Sequence, residues 1–210
     1  MSLNGYKTVL REARDEVVIH KSRFIGHAAP VSSAEEALGF LARIREEHRD
    51  ATHNCYAYII GRNAGIMRYS DDGEPSGTAG MPIIEVLKAR GVTNCCVVVT
   101  RYFGGVLLGA GGLVRAYSQA AAMAVEQAGV AEMAACAFFS FTVGYADYPR
   151  VQALADRSPA LRIERTAFGD GVTVFASARE EALPAVQTAL RDALGGRISF
   201  ADGGRGYAEV

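Results

Sequence analysis

"CCVVVTRYFGGVLLGAGGLVRAYSQAAAMAVEQAG", residues 95–129, sets the architecture of this chain. It opens with a continuous apolar run of strand type, the pattern of a strand buried on both faces. Five glycines then fall in the nine positions from Gly104 to Gly112. After them Leu113, Tyr117, Ala120, Ala121, Ala124 and Ala128 recur at helical spacing, and alanines on such a face allow close packing against a sheet. A buried strand, a glycine loop and a helix in that order predict a mixed α+β domain with this helix near its centre.

On the N-terminal side, "YKTVLREA", "DEVVIH" and "SRFIGHAAPV" read as strands, and "SSAEEALGFLARIREEHRD" as a helix that Ser33 caps, with Glu36 three residues on. Two strands follow, "HNCYAYIIG" and "IMRYSDD", and then the helix "MPIIEVLKARG", which has Pro82 in its first turn and Gly91 at its stop. Beyond Gly129 the order is strand "AFFSFTVGY", helix "DYPRVQALADR", strands "ALRIERTAF" and "VTVFASA" about the turn Gly169-Asp170-Gly171, helix "REEALPAVQTALRDALGG" and strand "RISFADGGRGYAEV". That βαββαβ order is ferredoxin-like. The chain is therefore expected to hold two domains, residues 1–132 and 133–210.

Composition narrows the function classes. Of 210 residues half are hydrophobic and the formal net charge is −1, which describes a globular protein rather than a disordered one. Neither half has the bulk positive charge of a nucleic-acid-binding domain, so such binding needs a local patch. No apolar run reaches membrane-spanning length and "MSLNGYK" lacks a signal peptide's apolar core, which predicts a cytoplasmic location. Cys55, Cys95, Cys96 and Cys136 form no CxxC pair and read as buried, reduced thiols. His20, His27, His48 and His53 have no ligand spacing, so no metal and no cofactor is expected.

Two loops hold the candidate chemistry. "SDDGEPSGTAGMP", residues 70–82, leaves a strand, crosses three glycines and opens a helix, with Ser76 and Thr78 just before it; the loop from Gly104 to Gly112 repeats that plan. Free N–H groups at two helix starts, including those of Gly77 and Gly80 and of Gly104, Gly105, Gly109, Gly111 and Gly112, would converge on one anion if the loops are neighbours. Neither loop is a standard nucleotide motif. Ala110 and Gly111 stand where a Walker loop needs Lys and a hydroxyl, and Val114 takes the third glycine of GxGxxG. Arg101 and Arg115 bracket the glycines instead and can supply the charge, while Tyr102 and Phe103 offer faces to a base. A structural reading stays open beside this one, in which the glycines allow close helix-to-sheet approach and the arginines make ion pairs. Asp71, Asp72 and Glu74 could hold magnesium or act as a general base, or be solvated and capping; His53 is a further candidate for the same cleft.

"DDGEPSGTAGMP" together with "VVVTRYFGGVLLGAGGLVRAYSQAA" resembles the signature of the IMPACT family, and the whole chain is similar to its bacterial, YigZ-type members. The resemblance implies an N-terminal domain like domain 2 of ribosomal protein S5, a fold shared with elongation-factor domains and small-molecule kinases of the GHMP type, and a C-terminal ferredoxin-like domain. It implies a translation-linked regulatory protein with RNA or the ribosome as partner. An enzyme on a small phosphorylated ligand or nucleotide, a GHMP-like phosphotransferase or a hydrolase, is the alternative. Eukaryotic members restrain an amino-acid-starvation kinase partly through an extra RWD domain that is not seen here, so that kinase-regulatory role does not carry over, while a link to stress response is still expected. The family motif falls on Asp72 to Gly80 and on Arg101, Tyr102, Gly104, Gly105, Gly109, Gly111 to Leu113 and Arg115 to Tyr117, and it brings no established catalytic residue.

Overall fold

The computed structural model describes residues 5–196 and 198–209. Met1–Asn4, Arg197 and Val210, the last two at the ends of the expected final strand, lie outside the described residues. Tyr6–Glu132 forms one compact unit; Gly5 with the chain from Met133 onward forms the other.

The first unit holds strands β1 (Gly5–Val9), β2 (Ala13–Ile19), β3 (Ser22–Pro30), β4 (His53–Ile60), β5 (Ile66–Ser70) and β6 (Cys95–Tyr102), with helices α1 (Ala34–Glu47), α2 (Gly80–Ala89) and α3 (Gly109–Ala128). Its antiparallel sheet has the order β2-β3-β6-β4-β5, which puts the apolar run of residues 95–102 at the centre. Alternate residues of β6 feed different cores. Cys95, Val97 and Val99 pack with α2 and α3, whereas Cys96 and Val98 pack with Phe40, Leu41 and Ile44 of α1. Both faces are covered, and that is why the run lacks polar alternation. Gly26 of β3 explains the alanine face of α3: a Cβ there would stand 2.2 Å from the Ala120 carbonyl oxygen. At α1, the Glu36 N–H donates to Ser33 Oγ as the sequence predicts, but the Glu36 carboxylate accepts from the backbone and hydroxyl of Ser32 rather than closing a box on Ser33.

The second unit holds β7 (Val130–Val143), α4 (Tyr148–Arg157), β8 (Leu161–Phe168), β9 (Val172–Arg179), α5 (Leu183–Ala193) and β10 (Ala201–Glu209). Its sheet has five strands: β10-β7-β9-β8 run antiparallel in the ferredoxin-like order, and β1 also joins the sheet at β7. Val151 of α4 with Val186 and Leu190 of α5 packs on Phe139, Phe141, Val172 and Val174. The strand β7 starts seven residues before the expected Ala137. Its alanine-rich beginning shows no alternation, yet β10 pairs with it from Met133 to Ser140 and draws it out as a strand. No helix among the described residues is long and apolar enough to cross a membrane.

Candidate functional site

The loop between β5 and α2 folds around one carboxylate. Asp71 Oδ1 accepts the N–H groups of Ala79 (3.0 Å) and Gly80 (2.8 Å), and its Oδ2 accepts that of Gly77 (2.9 Å). Burial pushes the Asp71 carboxyl up, but the three amides outweigh it and hold it below the ordinary range. The expectation of outward-facing amides at Gly77 and Gly80 is thereby corrected: the chain's own aspartate already fills that anion site, six to nine residues before the amides it caps. The Thr78 hydroxyl donates inward to the Pro75 carbonyl at 2.6 Å, and Ser76 is exposed.

Asp72 and Glu74 are likewise committed. Asp72 pairs with Arg45 at 2.5 Å and accepts the Asn54 N–H at 2.7 Å. Glu74 is buried, and its Oε1 accepts from Arg101 Nη1 at 2.6 Å and from the Tyr117 hydroxyl at 2.7 Å. His53 Nδ1 lies 2.8 Å from the Asp72 carbonyl oxygen, so the proton sits on Nδ1 and Nε2 is presented 3.9 Å from Glu74 Oε2. Gly73, at φ 90°, lays its backbone against the imidazole, where an added Cβ would be 3.4 Å from the ring. The Cys55 thiol donates to the Asp71 carbonyl at 2.9 Å, and burial pushes it up to about 12, which makes it a structural thiol rather than a nucleophile. Among the described residues no group of three or more His, Cys, Asp or Glu is placed to hold a metal ion.

Arg101, the penultimate residue of β6, lies opposite His53 on β4 and Phe24 on β3. It is 5% exposed, its guanidinium lies 5.4 Å from the ring centroids of both Phe24 and Phe103, and its buried Nε makes no hydrogen bond. The structure thus joins the two sequence motifs, but through an ion pair: Glu74 of the first meets Arg101 and Tyr117 of the second. Arg101 is not a phosphate grip, because Glu74 neutralises it and the protein encloses it. Tyr102 is also engaged; its hydroxyl donates to Asp50 at 3.2 Å and lies 2.9 Å from His48 Nδ1. Gly104 serves close approach, since a Cβ there would stand 2.0 Å from the Lys21 backbone, and its N–H donates to Ser22 Oγ at 3.1 Å. Gly105 and Gly109 take positive φ, 80° and 69°, where the loop turns.

What stays open is the start of α3. Leu108 provides no side-chain cap, the first turn has no acidic residue, and Gly109, Ala110 and Gly111 are exposed. Arg115 is exposed one turn on, Phe103 is 46% exposed and Leu107 86%. Sequence reasoning missed Asp71 as the internal cap and Ser22 and Cys55 as partners. An aspartate ending a strand just before a glycine-rich helix start was the available signal for the first; contacts 82 and 16 residues apart gave none for the others.

Comparison with known proteins accounts for both motifs. The model of the Impact N-terminal domain matches residues 20–125, and that of a domain of unknown function, DUF1949, matches 141–197. The IMPACT family member YvyE of Bacillus subtilis is 52% identical over 130 residues, 62% of this chain and 60% of that protein, so the match spans less than two thirds of this relative. A Thermus thermophilus protein described as an IMPACT family member in a pol 5' region is 46% identical over 155 residues, 74% of this chain and 83% of that one. A solved structure titled as a hypothetical protein superposes with a TM-score of 0.62 at 29% identity, covering 94% of this chain and 97% of the other. With its N-terminal domain model, its C-terminal domain model and these relatives in agreement, the chain belongs to the IMPACT family, as a relative of its bacterial members.

Proposed function

We propose that this chain is a cytosolic, translation-linked binding protein that holds phosphate of RNA or of the ribosome at the start of α3. The observation that carries the reading is the contrast between the two helix starts. The amides entering α2 are filled by Asp71, whereas those entering the 20-residue α3 have neither cap nor nearby acid. A helix of that length presents roughly half a positive charge at its N-terminus, and exposed Arg115 adds a whole one. Phe103 offers a base an exposed ring beside the same loop. Asp72 and Glu74 are occupied by Arg45, Arg101 and Tyr117, so no observation favours a phosphotransferase or hydrolase.

Co-sedimentation with ribosomes and anisotropy on labelled RNA, each across a salt series, test the reading. Arg115→Ala is expected to weaken binding several-fold and to reduce the salt slope by about one. Gly111→Asp, at a position with nothing within 4 Å of an added Cβ, places a carboxylate at the free amides and is expected to weaken binding about tenfold. Unchanged binding in the double variant overturns the site.

A further inference from the structure

We propose a second binding surface, on the face of the C-terminal sheet opposite α4 and α5, that takes single-stranded nucleic acid by base stacking. It shares a ligand class with the function proposed above but rests on residues of the other unit.

The strand register places the residues. In the pairing of the two central strands, Phe138 of β7 faces Ser177 of β9, and Ser140 faces Phe175. Phe138 and Phe175 are therefore diagonal neighbours on one face, about 7 Å apart. Phe139, Phe141, Val172 and Val174 alternate with them and fill the core beneath the helices, so Phe138 and Phe175 contribute nothing to that core. Both are half-buried.

The edge strand β8 supplies charge to the same face. A bulge between Ile163 and Arg165 turns Glu164 and Arg165 to that side. Glu164 accepts the Ser177 hydroxyl at 2.6 Å, and the Arg165 guanidinium lies over the Phe175 ring at 3.4 Å. Arg162 pairs opposite Ser177, and Arg179 follows two residues later on β9; both are exposed, as is Arg165. Glu164 lies 3.9 Å from Arg162 Nε and is held by Ser177, and Arg162 Nη1 donates to the Glu209 carbonyl at 3.4 Å. On the other edge β10 places glycines against the first ring: a Cβ at Gly206 would stand 3.0 Å from Phe138 Cε2, and one at Gly203 3.0 Å from the Phe138 backbone.

Two aromatic rings on the adjacent strands β7 and β9 of an antiparallel sheet, with arginines alongside, resemble the platform on which sheet-based modules stack unpaired bases. The Arg165 guanidinium, 3.4 Å from the Phe175 ring centroid, already occupies that face, so a base stacks on the guanidinium or in its place. The exposed Arg162, Arg165 and Arg179 favour a polyanion.

The test uses the whole chain with fluorescein-labelled decamers of uridine and of thymidine and a duplex RNA of equal length. Single strands are expected to bind at least tenfold more tightly than duplex. Phe138→Leu and Phe175→Leu are each expected to weaken single-strand binding about tenfold, with far-ultraviolet circular dichroism unchanged. Because the chain contains no tryptophan, Phe175→Trp creates a single indole whose emission a stacked base quenches. Equal binding of both decamers, or preference for uridine, supports the platform. Absence of single-strand binding, duplex bound as tightly, or full affinity in the folded Phe138→Leu/Phe175→Leu variant overturns it. If Arg115→Ala abolishes binding while the double phenylalanine variant does not, this surface fails and the α3 site stands. The reverse result sinks the α3 site and leaves the platform.

Discussion

Arg101 illustrates how residue type and residue role part company. An arginine bracketing a glycine loop matches the chemistry of a phosphate ligand, yet here it completes a buried ion pair with Glu74. Removing one member of such a pair leaves the other charge unpaired in a low-dielectric setting. Glu74→Ala is accordingly expected to cost about 3–5 kcal/mol in urea unfolding, and Arg101→Ala a similar amount. Loss of ligand binding in an Arg101 variant would therefore report on folding before it reported on contact, so Arg115 is the arginine to test for binding. His27 makes the second residue-scale prediction. Burial, then the neighbouring His48 charge, lowers it to about 4, and its ring lies 5.2 Å from that of His48. Between pH 6.5 and 4 the unfolded chain binds the proton that folded His27 refuses, so stability falls as pH falls through that window. The full loss is on the order of 3 kcal/mol. In His27→Leu the acid limb of a stability-versus-pH curve is expected to flatten.

At the scale of elements, glycine separates into two uses that composition cannot distinguish. Gly26 exists so that α3 can lie on β3, and Gly26→Ala, with its Cβ 2.2 Å from the Ala120 carbonyl oxygen, is expected to lower stability by about 2–3 kcal/mol or more. Gly111 meets nothing within 4 Å, so packing does not require it. Gly111→Ala is expected to stabilise the protein by up to about 1 kcal/mol through helix propensity alone, read as a rise in melting temperature. The capping of α2 from Asp71 has the same local character. Asp71→Ala frees three amides in a partly buried loop, and hydrogen exchange at Gly77, Ala79 and Gly80 is expected to quicken.

Over the whole molecule, the first unit has a core on each face of its sheet and the second unit has its own, and Leu190→Ala in the second is expected to cost about 2–5 kcal/mol, with faster hydrogen exchange in α5, β7 and β9. Sequence alone determined the alternation of strands and helices, the doubly buried β6, the alanine face of α3, the βαββαβ order of the second half and the motifs of the family. These are periodic or contiguous signals, carried by residues a few positions apart. Only the tertiary structure decided which groups of the candidate site remain free. Asp71 fills its amides across six to nine residues, Glu74 meets Arg101 across 27 and Tyr117 across 43, and the β7–β9 register brings Phe138 and Phe175 to one face. Those pairings depend on strand register and loop path, which the packing of distant segments sets and which local pattern does not encode.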